Sequence, residues 1–267
     1  MATQAEIKRL KTLNSRKGRR DLGLFLAEGV RLLEEAERQR FLPHRLYFAE
    51  SELSDRARAL LSAFELYKVD CRPTPARQLR QISDVKTNQG IIASFSIPQN
   101  YRENGSLKAE LSRGKYRKIL LCESVGDPGN LGTLLRSALA FGFSGVILSG
   151  NCVDPYSPKV VRASAGAVFG LDIFAASIDD LLKLATASGL AIIAADANGS
   201  HRFEDISLDG TELGVIIAIG AEATGLSPSV RQAARWRLRI PHLAAVESLN
   251  AGVAGSILMS RMFVEKK

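Results

Sequence analysis

Cysteine is scarce. Cys71, Cys122 and Cys152 are the only three in 267 residues and none sits in a CxxC pair. An odd number at such spacing fits reduced thiols rather than a disulfide framework. Three scattered His complete a poor ligand set, so no zinc or other metal site is expected. No apolar run approaches ~18 residues, and the longest, near 215–220, is strand-sized, which excludes a membrane-spanning helix. The first 20 residues are polar and basic and lack the apolar core of a secretory signal, which places the expected chain in the cytoplasm. Aromatics are only 6% of the chain, and no basic helix carries the Trp/Phe/Leu face of a membrane-surface segment. What is there, 46% apolar and 24% charged residues, is ordinary for a globular protein, and the length favours two domains.

The charge is unevenly placed. Residues 1–100 hold 18 Lys/Arg against 12 Asp/Glu, residues 101–118 six against two, and residues 119–267 12 against 14. A basic front half on a near-neutral back half predicts one part that holds a polyanion, nucleic acid before membrane, and another with a different task. The basic turn Arg16, Lys17, Arg19, Arg20 is the candidate RNA contact.

The front half alternates short strands (25–30, 46–48, 66–69, 90–96) with amphipathic helices (31–40, 53–63), the pattern of a small α/β domain over 1–100. The polar stretch 101–117 is the expected linker. From 118 to 267, continuous apolar strands (119–122, 146–148, 191–195, 215–219, 238–240) alternate with helices (131–141, 159–168, 181–187, 229–234, 249–263). Strands apolar on both faces indicate a parallel sheet covered by helices, with ligands at its carboxyl edge.

Three loops after those strands carry the candidate chemistry. Residues 123–132 (ESVGDPGNLG) lead into a helix bearing Arg136; their glycine spacing is not that of a dinucleotide fingerprint. Residues 220–227 (GAEATGLS) imitate a P-loop, but Leu226 stands where its Lys is required. Residues 240–250 (IPHLAAVESLN) enter a helix with small residues at Ala251, Gly252, Ala254 and Gly255. Arg162-Ala163-Ser164-Ala165-Gly166 approaches a nucleophile elbow without its first Gly, which disfavours a serine hydrolase. Singly, such glycines serve turns, and Asn130 or Ser248 would serve as helix caps.

Together the loops resemble the motifs of the SpoU/TrmH family of RNA ribose 2′-O-methyltransferases, of the SPOUT class. The matching residues are Asn130-Leu131-Gly132 with Arg136, Gly220 to Leu226, and Ile240-Pro241 with Ser248-Leu249-Asn250. The resemblance covers about 117–263. Its second loop departs from the commoner wording in having Ala221 and Ala223 around Glu222. The front half, through Phe25-Leu26-Ala27-Glu28-Gly29, resembles the ribosomal-protein-L30-like substrate-binding domain that precedes many rRNA-directed members.

The resemblance implies a catalytic domain tied in a deep trefoil knot, a homodimer through that domain, and S-adenosylmethionine held by Gly220, Ile240 and Leu249. It implies a reaction without metal in which Arg136 acts on the ribose hydroxyl and Asn130 and Asn250 orient it. Ser248 would add a hydrogen bond, and Glu222 would fix Arg136 or the loop. An arginine stays protonated in nearly all sites, so phosphate and oxyanion contact is the physically preferred role for Arg136 over that of a literal base. The implied substrate is rRNA. The alternatives are a tRNA substrate, or an inactive RNA-binding or ribosome-assembly protein.

Overall fold

The computed structural model describes residues 1–267 apart from 86–87, 103–105, 113–115, 144, 207–213, 244, 247 and 264–267. The elements in chain order are α1 (Gln4–Lys11), α2 (Arg16–Leu22), β1 (Leu24–Glu28), α3 (Val30–Arg38), β2 (Arg45–Phe48), α4 (Asp55–Leu66), β3 (Cys71–Pro73), α5 (Ala76–Ile82) and β4 (Ile91–Ser96). They continue with α6 (Gln99–Arg102), α7 (Ser106–Ser112), β5 (Lys118–Glu123), α8 (Pro128–Ala140), β6 (Gly145–Ser149), α9 (Pro158–Ala163), β7 (Asp172–Ala175) and α10 (Ile178–Ala187). The last are β8 (Leu190–Ala195), β9 (Gly214–Ile219), α11 (Pro228–Ala233), β10 (Trp236–Leu238) and α12 (Ala251–Arg261). The chain divides into two compact units, Met1–Pro98 with Asp154–Gly170, and Gln99–Val153 with Leu171–Lys267.

The first unit is a four-stranded mixed sheet of order β1-β4-β2-β3. β1 and β2 run antiparallel to β4, and β3 lies parallel to β2. Alternation along the strands sends Leu26, Tyr47 and Ile92 to a core shared with Ile7, Leu10 and Leu79 of the helices. Phe25 and Phe95, on the other face, meet Phe41, Tyr156 and Phe169 in a cluster with ring centroids 4.8 to 6.4 Å apart.

Two expectations are corrected here. The strand foreseen at 66–69 is absent: α4 runs to Leu66, Lys68 turns the backbone left-handed at φ 60°, and the strand begins at Cys71. Residues 154–170, assigned from the pattern to the second domain, pack with the first unit, because Tyr156 and Phe169 complete its aromatic core.

The second unit is a six-stranded parallel sheet of order β10-β8-β9-β5-β6-β7. The α/β class with a parallel sheet is therefore as expected. Its strands are buried on both faces, Ile119 to Cys122 and Val215 to Ile219 being almost wholly covered. Residues 101–117 are not the expected linker. They include α7, whose Leu107 and Leu111, with Tyr116, are buried in this unit's core. The helix foreseen at 159–168 stops at Ala163, and the last strand lies at Trp236–Leu238 rather than 238–240. The pattern also passed over β7, whose four residues begin with a polar Asp172 that accepts the Tyr116 hydroxyl at 2.6 Å. No helix among the described residues is long and apolar enough to cross a membrane.

Candidate active site

The strand order reverses about β5, so the loops after β5, β8 and β9 share the carboxyl edge where parallel sheets hold ligands. Around that edge lies a pocket of about 450 Å³. Gly220, Glu222, Ile240, Ser248 and Leu249, all singled out by sequence, line it. Leu226 and Ile240 supply apolar wall, and Gly220 lets the loop fold back on itself. A Cβ there would overlap the Gly225 carbonyl carbon and the Leu226 nitrogen. The 220–227 turn is closed by Gly225 N–H donating to Ala221 O at 2.9 Å.

Asn130 lies beside this loop, 8% exposed. Its Nδ2 donates to Glu222 Oε1 at 2.6 Å, so Glu222 fixes Asn130, not Arg136. Asn130 is also not the helix cap: Asp127 Oδ1 accepts the Asn130 N–H at 2.8 Å and Pro128 opens the first turn of α8. Arg136 follows six positions on, about 240° further round the helix. It is exposed, does not line the pocket of its own chain, and has no hydrogen-bond or ion-pair partner among the described residues. Asn250 is exposed and caps α12, its Oδ1 accepting the Val253 N–H at 3.2 Å. The sequence thus brings Asn130 and Glu222 together at the pocket and leaves Arg136 on another face.

The small residues of α12 serve packing within the chain. A Cβ on Gly252 would crowd Thr133 and Asn130, and one on Gly255 would overlap Leu134 of α8. Close approach of α12 to α8 also lets Ser137 and Ser256 hydrogen-bond at 2.7 Å. Outward, α12 shows Val253 and Ile257, 47% and 36% exposed.

Several residues at or near the pocket escaped the sequence reading. Glu123, buried at the end of β5, accepts the Ser227 N–H at 2.8 Å and ties the second loop to the sheet. Asp196, after β8, accepts Arg237 Nε and Nη2 at 2.9 Å each, and its Oδ1 accepts the Asn198 N–H. Arg231 of α11 faces the pocket without a partner among the described residues. An acidic residue directly after an apolar strand was the available signal for Asp196 and, at the strand's last position, for Glu123.

In the first unit, Arg16, Lys17 and Arg20 are exposed, but Arg19 is 3% exposed and leaves the RNA-binding set. Its guanidinium bonds Asp154 Oδ2 through Nη2 at 2.7 Å and Nε at 2.8 Å, and Leu13 O through Nη1 at 2.7 Å. Gly18 and Arg19 turn inward on the short helix α2, a periodicity masked in sequence by the run of basic residues. Among the described residues no cluster of three or more His, Cys, Asp or Glu is placed to hold a metal ion.

Comparison with known proteins gives this geometry a family. Residues 4–93 match the MRM3-like substrate binding domain. An uncharacterized tRNA/rRNA methyltransferase of Synechocystis is 31% identical over 95% of this chain and 88% of that protein. The 23S rRNA (guanosine(2553)-2'-O)-methyltransferase RlmP of Bacillus subtilis is 25% identical over 97% of this chain and 96% of that protein. The SpoU methyltransferase AviRb of Streptomyces viridochromogenes, solved in complex with the cofactor AdoMet, superposes with a TM-score of 0.79 at 25% identity, covering 97% of each chain. With residues 117–260 matching it, more than half of its length, the chain belongs to the SpoU rRNA Methylase family.

Proposed function

We propose that the protein transfers the methyl group of S-adenosylmethionine to a ribose 2′-hydroxyl of RNA, with large-subunit rRNA as its substrate. The observation that carries this reading is the convergence of the second and third loops on one pocket, with Asn130 of the first tied to Glu222 at its rim. The residues fit the cofactor: Leu226, Ile240 and Leu249 offer apolar wall to a flat base, and the glycine-bearing turn at Gly220 offers backbone polar groups. The names of the Bacillus relative and of the SpoU rRNA Methylase family, and the match of residues 4–93 to a substrate-binding domain, support rRNA.

When bound, S-adenosylmethionine supplies an electrophilic methyl group. Gly220, Ile240 and Leu249 hold it. Glu222 fixes the Asn130 amide, whose remaining polar positions orient the acceptor hydroxyl together with Asn250 and Ser248. Arg136 carries a permanent charge with five donors in a planar fork, suited to a phosphate oxygen and to charge developing on the attacking oxygen. Positioning of the reactants supplies up to roughly 7–11 kcal/mol of the barrier reduction.

Because Arg136 does not line its own chain's pocket, the reading includes a homodimer. The outward face of α12, with Val253 and Ile257, would pack against a second copy and bring Arg136 to the neighbouring pocket. It also includes the knotted course of the C-terminal segment and a cytoplasmic site of action, consistent with three free cysteines.

The test is methylation of rRNA fragments with tritiated cofactor, followed by the same RNA carrying a 2′-deoxy sugar at the mapped position. Transfer to the first and none to the second is expected. Transfer to the deoxy substrate would overturn the ribose reading. Methylation of tRNA alone would move the substrate, and cofactor binding with no transfer to either RNA would leave a binding protein.

A further inference from the structure

A second pocket, of about 380 Å³, lies within the first unit and has no part in the methyl-transfer site. Its size falls at the low end of the roughly 300–1,000 Å³ typical of small-molecule sites, the scale of one nucleotide and far below that of a duplex. Leu32, Val85 and Ala165 give it apolar wall; Glu28, Arg31, Gln89 and Arg162 give it polar groups. The two segments left unexplained by methyl transfer, Glu28-Gly29 and Arg162 to Gly166, meet here.

The polar groups are arranged for a ligand. Glu28 Oε1 is buried and has no hydrogen-bond partner among the described residues. A buried acceptor left unpaired destabilises the fold unless a donor reaches it. Burial raises the Glu28 carboxyl above its usual 4.5, opposed by the Ser83 hydroxyl, the Arg162 charge and the Asp84 backbone, while the Asp84 charge adds to the rise. Gln89, in the pocket wall, is held by its Oε1 accepting the Val30 N–H at the start of α3 at 2.8 Å. Arg31 is exposed and without an ion pair among the described residues, whereas Arg162 is held to Asp84 at 2.8 Å. Ala165 adopts φ 50°, a left-handed backbone that a non-glycine residue takes at a cost, and it lies in the pocket wall.

We propose that this pocket receives one unpaired base of the RNA substrate, that Glu28 accepts from an exocyclic amine on that base, and that Arg31 holds a flanking phosphate. The apolar wall suits a base face, and sequence-specific RNA readers take unstacked bases in this way. Uracil, lacking an exocyclic amine, is the base the pocket should disfavour. This inference rests on the reading of the protein as an RNA methyltransferase.

The experiment uses the full chain and short single-stranded oligoribonucleotides of A, C or U, read by fluorescence anisotropy, with rRNA methylation and cofactor binding measured on the same preparations. The unaltered protein should bind the A and C oligomers about tenfold more tightly than the U oligomer, the discrimination expected of one good base contact. Val85→Trp should fill the pocket and weaken all three by about tenfold, with cofactor affinity and melting temperature unchanged. Glu28→Gln adds a donor where the base offers one and should abolish the A and C preference. Arg31→Ala should weaken the three alike and lower the salt dependence. Methylation and oligomer binding that survive Val85→Trp and Glu28→Gln with the base preference intact would overturn the pocket while leaving the methyltransferase reading in place. An unaltered protein that neither binds RNA nor methylates it would overturn both.

Discussion

Six arginines of the first unit are spent on that unit's own carboxylates, whereas two of the second stand unpaired among the described residues. Arg19, Arg45, Arg56, Arg72, Arg80 and Arg162 of the first unit are each paired with a carboxylate of that unit. In the second, near-neutral by count, Arg136 and Arg231 stand without partners among the described residues, one on α8 and one at the pocket wall. Net charge over a stretch of sequence therefore overstates what a basic domain offers to RNA and understates what a neutral one offers to an anion. Whether a cation is free is decided by packing.

The largest expected effect separates a free cation from a paired one. Arg136→Lys keeps the charge and loses the fork, and it should lower the methylation rate by about 10²–10³-fold in single-turnover assays, with cofactor affinity unchanged. Near-normal turnover would make Arg136 a simple positive charge. Next, Arg19→Ala leaves Asp154 buried and unpaired and should cost roughly 3–5 kcal/mol in chemical denaturation. The triple change Arg16→Ala, Lys17→Ala, Arg20→Ala should leave stability alone and reduce the salt slope of RNA binding by roughly 0.7–0.9 per lost phosphate contact. If the two variants exchanged phenotypes, the assignment of buried and exposed cations would be reversed.

Gly220→Ala should act only in the second unit, its Cβ overlapping the Gly225–Leu226 backbone, and should weaken cofactor binding by calorimetry at least about tenfold, a 1.4 kcal/mol change. The smallest effect concerns pH. Burial alone would raise Glu6, but hydrogen bonds from Tyr47 and Arg45, with the charges of Arg45 and Arg72, bring its carboxyl below the usual 4.5. A carboxyl lowered on folding adds stability that is present above its unfolded value and is lost as pH falls through the folded one. Glu6→Gln should accordingly lower the melting temperature at pH 7 and make little difference near pH 3. An equal drop at both would show that Glu6 acts through packing.

The second unit was the more legible. Its strands are apolar on both faces and hold their type wherever they are read, and two of its three loops land on one pocket because parallel strands end on one edge. The contact between Asn130 and Glu222 joins residues 92 apart, and neither spacing nor periodicity encodes it. The first unit was read less well for the same reason. Arg19 looks like its neighbours Arg16 and Arg20 until Asp154, 135 positions away, is known to receive it. The place of residues 154–170 is likewise set by Tyr156 and Phe169 meeting Phe25 and Phe95, a match visible only in three dimensions.

That discontinuity has a consequence for the order of events during synthesis. Domains commonly fold as they leave the ribosome, the N-terminal one first. Here the N-terminal unit is not finished when its first 98 residues have emerged: the carboxylate that neutralises Arg19 and the rings that close the Phe25 cluster arrive only with residues 154–170. By then β5, α8 and β6 of the other unit have already been made. A nascent chain stalled before residue 154 carries both an unpaired Arg19 and an open aromatic core, and one stalled after residue 170 carries neither. Protease resistance of the first 98 residues, followed as a function of the length translated, should rise between those two points and not at residue 98.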